Sequence, residues 1–287
     1  MKLSRSGALL LGILSSPAFA YSVFPIDANS SLKWGSNLNG TPGGIVTWSL
    51  MPDGTTLDPG APGYIHGTSN LTGVFDQVGG QSAALAMMQQ AFAAWSAVAN
   101  IQFVYVGVDD GTPFSAAYDS SQVVGNIRVG AFQVDGGSAE VGFAPPPNGG
   151  TTLEGDILFN TTAGITYYAA PGNEGDLYDL YPPGGGYYRN DFQGLFTHEI
   201  GHAIGLAHSA DPNSVMCGYA DATNDGSQCG WWDADTDGKA PIVRQPKSDD
   251  ILGAQFLYGA PVPEPEAWAM LLAGLGLVGF ATRRRLI

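Results

Sequence analysis

The sequence predicts an α+β fold, on three observations. Strand-like stretches come first with a single helix among them, and the remaining helical stretches come late. No segment repeats at a fixed period. The 41 glycines and 19 prolines supply turns and long loops and argue against a helical bundle. With 287 residues, 44% hydrophobic and 13% charged, the chain can bury the core of one large domain or two small ones. Only 11 basic residues stand against 26 acidic ones, and Arg283, Arg284 and Arg285 are clustered near the end. So acidic a body excludes nucleic acid as a partner.

Each element follows from its local pattern. Lys2 and Arg5 precede the apolar run from Gly7 to Leu14, and Ala18 and Ala20 are the small residues that a signal peptidase reads. Residues 1–20 therefore read as a secretory signal cut after Ala20; an uncleaved anchor would need about 18 apolar residues. The body runs from 21 to 259. Gly43 to Leu50 is β-rich and bounded by Gly and Pro, which predicts a strand, and a Gly, Pro and Asp loop follows. Ser82 is placed to cap a helix in which Leu85, Met88, Phe92, Trp95 and Val98 recur at helical spacing and which Asn100 ends. Ile101 to Val106 alternates as a strand. Gly125 to Phe132 and Gly155 to Asn160 are two more, separated by a stretch rich in glycine and proline.

Residues 161–190, rich in Tyr, Gly and Pro and without a period, predict a surface insertion. Helical spacing returns from Asp191 to His208, with Phe192, Leu195, Phe196, Ile200 and Ile204 apolar. A long polar loop, Ser209 to Lys247, leads to a short closing helix capped by Ser248 or Asp249. Cys217 and Cys229, both in that loop, predict a loop-closing disulfide in an exported chain.

Three of the chain's 4 histidines fall between His198 and His208. Residues four apart on a helix differ by about 40° of rotation, so His198 and His202 project from one face. Gly205 tolerates the left-handed conformation that ends a helix, which lets His208 swing back as a third ligand. Three neutral imidazoles suit zinc and leave an open position, the pattern of a catalytic site. Glu199 adjoins the first ligand but points off the ligand face, where it can take the proton of an attacking water and pass it to a leaving amine. The reaction class this serves is amide hydrolysis.

His198, Glu199, His202, Gly205 and His208 resemble the metzincin zinc motif, and Met216 looks like the methionine of the Met-turn beneath the metal. Among metzincins the chain is similar to the matrixins. Ala91 to Val106 resembles their first helix and following strand, Ser209 follows the third histidine, and Asp249 to Gly259 resembles their closing helix. The resemblance covers roughly residues 33–259. It implies a zincin-like catalytic domain: a twisted, mostly parallel five-stranded sheet with long helices, and a zinc cleft between upper and lower subdomains. It also implies one catalytic zinc on His198, His202 and His208, with Glu199 as general base.

Departures from the family matter as well. Phe143 and Leu158 stand where histidines of a second zinc are expected, and His66 alone is left outside the motif, so a single zinc is implied. Asp135 and Asp156 match acidic calcium positions, although Asn126 and Asn160 replace expected aspartates. Asp233, Asp235, Asp237 and Gly238 resemble the start of an EF-hand-like calcium loop, but its twelfth position is Arg244. Calcium is thus expected at one place or the other, or at neither. No cysteine precedes the motif, which rules out the family's cysteine switch. By resemblance, Tyr219 to Lys247 borders the pocket for the residue after the scissile bond.

Residues 260–287 join Pro263-Glu264-Pro265, an apolar run from Ala267 to Ala281, and the three arginines. In that order they resemble the PEP-CTERM sorting tail of Gram-negative bacteria. The resemblance implies an exosortase partner and a place in the cell envelope or outside it. Membrane association through the apolar run would be transient, since a helix of that length reaches only ~22 Å of a ~30 Å hydrocarbon core. A plain C-terminal anchor is the alternative. The whole reads as an exported zinc endopeptidase acting on proteins or peptides; the alternative is a catalytically idle surface or biofilm-matrix protein that keeps the fold for binding. Glu199 favours the enzyme, because a binding module has no use for that proton carrier.

Overall fold

The structure, a computed structural model, describes residues 20–136, 138–147, 149–181, 189–218 and 238–262. Residues 263–287 of the sorting tail, most of the secretory signal, and Asp233, Asp235 and Asp237 lie outside the described residues. In chain order the first elements are β1 (Ser22–Val23), β2 (Gly44–Leu50), β3 (Ile65–His66), α1 (Leu71–Phe75) and α2 (Gln81–Ser96). Then come β4 (Ile101–Val108), β5 (Ile127–Val134), β6 (Glu140–Gly142), β7 (Ile157–Asn160), β8 (Thr166–Tyr168), β9 (Leu177–Asp179) and β10 (Arg189–Asp191). The rest are α3 (Phe192–Ala203), β11 (Leu206–Ala207), β12 (Lys239–Pro241) and α4 (Ser248–Tyr258).

The main sheet runs in the order β4-β2-β5-β7-β6, and with the helices it makes the α+β architecture that the sequence predicts. Its first four strands are parallel and β6 is antiparallel to β7. β3 pairs antiparallel with the end of β5, an addition to the five strands expected. β5 is buried on both faces, as a central parallel strand should be. Successive side chains of a strand point to opposite faces, so the sheet separates two apolar layers. On one face α2 and α3 cover Trp48, Ile157 and Phe159: Trp48 stacks on Phe92 at 4.7 Å, and Phe159 stacks on Phe192 at 4.9 Å. On the other face Leu158, Phe143, Phe132, Phe114, Met51 and Ile65 form a second cluster.

The sequence and the structure differ where local signals are short or contested. The start of α2 is made by Gly79 and Gly80, both at positive φ, and Gly80 caps it rather than Ser82. The helix ends at Ser96, so Asn100 lies in the turn before β4. α1 has only five residues, too few to show a period, and Asn70 caps it by accepting from the Gly73 amide. β6 is three residues long within the glycine- and proline-rich stretch. The 161–190 insertion does not simply lie on the surface. β8 pairs with β10 and β9 with β12, and Ala170, Tyr178, Leu180, Ala240 and Ile242 form their own buried cluster. α4 is capped at Lys247, whose amide donates to the Asp250 carboxylate at 2.8 Å, rather than at Ser248 or Asp249.

α4 is tied to the end of α3 through one side chain. The Tyr258 hydroxyl donates to the Ile204 carbonyl at 2.7 Å and accepts from the Trp34 amide at 3.1 Å. Trp34 in turn donates from Nε1 to the Ala203 carbonyl at 2.8 Å. We expect Tyr258→Phe to lower stability by about 1–3 kcal/mol, because two buried backbone groups lose their partner. A urea midpoint that falls with an unchanged m-value would bear this out; an unmoved midpoint would contradict it.

Candidate metal centre

α3 begins under firm control. The Asp191 carboxylate caps it, accepting from the Gly194 amide at 3.0 Å, and Arg244 clamps the same carboxylate from Nε at 2.8 Å and Nη2 at 2.6 Å. Arg244, the twelfth residue of the expected acidic calcium loop, is therefore committed to Asp191. Within α3 the glycines admit close neighbours: a Cβ on Gly201 would lie 2.1 Å from Met216 Sδ. The helix thus rests directly on the methionine expected beneath the site. Gly205, at φ 104°, turns the chain out of α3 and into β11, which pairs with β1.

These constraints bring His198, His202 and His208 together, with their ligand atoms within 4.8 Å of one another. His198 Nδ1 lies 2.7 Å from the Val215 carbonyl, and His202 Nδ1 lies 2.8 Å from the Leu206 carbonyl. A carbonyl only accepts, so each Nδ1 carries the proton and each Nε2 is left with its lone pair. Burial and the neighbouring imidazoles hold His198 well below the usual histidine range and bring His202 down to about 4. His202 Nε2 and His208 Nε2 approach to 3.2 Å. Nitrogens so convergent are placed to share one cation. The donor set fits zinc.

The turn below the site is held by α4. The Asp250 carboxylate accepts from the Val215 amide at 2.8 Å, from the Met216 amide at 3.1 Å and from the Ser214 hydroxyl. Ser209, after the third histidine, donates from Oγ to Asp249 at 2.6 Å and from its amide to the Met216 carbonyl at 2.8 Å. Cys217 is disulfide-bonded, and the chain's other cysteine, Cys229, lies outside the described residues.

Glu199 sits off the ligand face. It is buried, and its carboxylate accepts from the Gly142 amide on β6, while burial pushes its pKa up to about 8. Gly142 has no room for a side chain: a Cβ there would lie 2.6 Å from the Glu199 carbonyl oxygen. A cavity of about 390 Å3 opens beside the triad, lined by Ser22, Phe24, Gly142, His202, Ala207 and His208.

The other expected metal positions fare differently. Phe143 and Leu158 are packed in the apolar cluster beyond the sheet. Asp135 and Asp156 cannot share one calcium. Asp156 accepts from the Arg128 amide at 2.7 Å at the start of β5, whereas Asp135 follows the far end of that strand, about 23 Å away at strand rise. Asp135 pairs with His66 at 3.0 Å. Beside Asp156, Asn126 turns to the Thr47 amide at 2.9 Å, and a buried guanidinium, Arg128, pairs with Asp109 at 2.8 Å. Asn160 serves backbone partners on the 134–138 turn. Sequence reasoning did not anticipate Gly142, Leu206, Val215 or Asp250. Three of these act through backbone atoms, which no side-chain pattern reports.

The matrixin family model matches residues 75–259, well over half of the chain, and the PEP-CTERM protein-sorting motif matches 261–285. Matrix metalloproteinase-15 of Homo sapiens is 33% identical over 116 residues, 38% of this chain and 15% of the relative. Metallopeptidase AprA of Pseudomonas marginalis is 30% identical over 209 residues, 68% of this chain and 36% of the relative. Serralysin B of Dickeya chrysanthemi is 37% identical over 76 residues, 23% of this chain and 16% of the relative. The chain thus spans well under half the length of these relatives.

If α4 orients the first imidazole through the Val215 turn, Asp250→Asn weakens zinc binding about 10–100-fold without removing a ligand. Competition against a fluorescent chelator measures this, and an unchanged affinity would break the link between α4 and His198.

Proposed function

The chain belongs to the matrixin family, and from that premise we propose an exported zinc endopeptidase in which His198, His202 and His208 hold the metal and Glu199 is the general base. One observation carries the reading: two imidazoles are locked through Nδ1 by backbone carbonyls, and the ligand atoms of all three lie within 4.8 Å of one another. A zinc ion held there would polarise a peptide carbonyl and acidify water. The chain's own residues do the rest. Glu199, oriented by the Gly142 amide, takes the proton of the attacking water and delivers it to the leaving amine. Its burial keeps that proton from bulk solvent. β6 ends the main sheet, so its outer edge offers backbone groups to an extended peptide beside Glu199.

The sorting motif supports a substrate met outside the cytoplasm. In this reading the tail is recognised by an exosortase and holds the chain at the envelope only transiently, through its apolar run. Among the described residues no helix is long and apolar enough to cross a membrane.

The test is digestion of casein or gelatin by residues 21–262, beside Glu199→Gln. Loss of a general base is worth about 10²–10⁴-fold, so the variant is expected to keep its zinc and lose cleavage by that factor. Equal digestion by the two would remove Glu199 from the mechanism, and digestion of nothing by either would favour an idle binding protein. Chelation is expected to abolish cleavage and lower Tm, and added zinc to restore both; activity that survives complete metal removal would refute the metal assignment.

A further inference from the structure

β6 carries a buried acid that the chemistry above does not use. Glu140 is 3% exposed, and among the described residues neither carboxyl oxygen has a hydrogen-bond partner. Alternate residues of a strand share a face, so Glu140 points the same way as Gly142, onto α3. There it lies within electrostatic range of both Glu199 and Asp191. Of these three acids, Asp191 is matched by Arg244 and Glu199 receives the Gly142 amide. Glu140 receives no donor among the described residues, and a buried carboxyl without a donor is a standing penalty on the fold.

β6 is also the terminal strand of the sheet. A peptide added along its free edge sets its side chains alternately on the two faces, and the one nearest Glu140 on the α3 face becomes its cross-strand neighbour. Building on the endopeptidase reading, we propose that Glu140 determines specificity by pairing with the ammonium or guanidinium of a substrate lysine or arginine that flanks the scissile bond. The arriving cation supplies the donors that the carboxyl lacks. The chain's formal charge of -15 draws the same class of substrate over longer range.

Two readouts separate this from the protease reading. Cleavage of a peptide library varied on both sides of the cut is compared between the full chain and Glu140→Gln. Binding of a lysine peptide and its norleucine analogue is then followed by fluorescence on Glu199→Gln and on the double variant with Glu140→Gln, which requires no turnover. The wild type is expected to prefer lysine or arginine over norleucine at one flanking position by about tenfold or more, and the preference to collapse in Glu140→Gln. Glu199→Gln should bind the lysine peptide tighter by a similar factor, and the double variant should not. If Gln at this position unfolds the chain, Glu140→Met, which suits the apolar surroundings, takes its place. A wild type indifferent to basic residues, or a basic preference that survives in the variant, overturns the assignment. If nothing is cleaved, the protease reading fails while the binding comparison still decides the role of Glu140.

Discussion

The site depends on a pair of hydrogen bonds that are not metal bonds: His198 Nδ1 to the Val215 carbonyl and His202 Nδ1 to the Leu206 carbonyl. Each fixes a tautomer and a ring plane, and so decides which nitrogen faces inward. Without them the imidazoles of a helix pair could rotate and present either nitrogen. With them, His202 Nε2 is held 3.2 Å from His208 Nε2, a convergence that a shared cation would use.

Much of the fold can be understood as support for those two carbonyls. Val215 is held by Asp250 on α4, and α4 is held by Tyr258 against the end of α3 and Trp34. Leu206 is held in β11 by its pairing with β1, only two residues after the expected signal cut. Gly201 lets α3 settle on Met216, and Gly205 turns the chain in a space where a Cβ would lie 2.3 Å from the Leu32 carbonyl oxygen. Elements from both ends of the described chain therefore meet at the site that α3 and the turn after it form.

Charge inside this acidic protein is managed locally. Arg128 balances Asp109 in full burial, and Arg244 balances Asp191 at the head of α3. Both guanidinium groups lie beside calcium-like sequence positions, Arg128 next to Asp156 and Arg244 at the twelfth place of the acidic loop, and each is taken up by a different carboxylate. Glu140 is the contrast: burial and the neighbouring Glu199 and Asp191 push it well above the usual carboxylate range. That acid lies on the terminal strand of the sheet, where the cation of the proposed substrate would match it.

Much was legible in the linear chain, because it depends on periods and local stereochemistry. Helical spacing put His198 and His202 on one face, Gly205 marked the turn that returns His208, and β-rich runs bounded by glycine located β2, β5 and β7. Ser82 misled because capping preference is weak against two glycines already at positive φ, and Asn100 misled because α2 stops at Ser96, four residues before it. α1, β6 and the strands of the insertion were hidden because segments of three to five residues carry no readable period. What only the tertiary structure decided is which backbone carbonyl meets which imidazole, which acid pairs with which arginine, and that Asp135 and Asp156 lie at opposite ends of a strand. Those contacts join residues far apart in sequence, and their energies arise from burial and from hydrogen-bond geometry that exist only once the layers have packed.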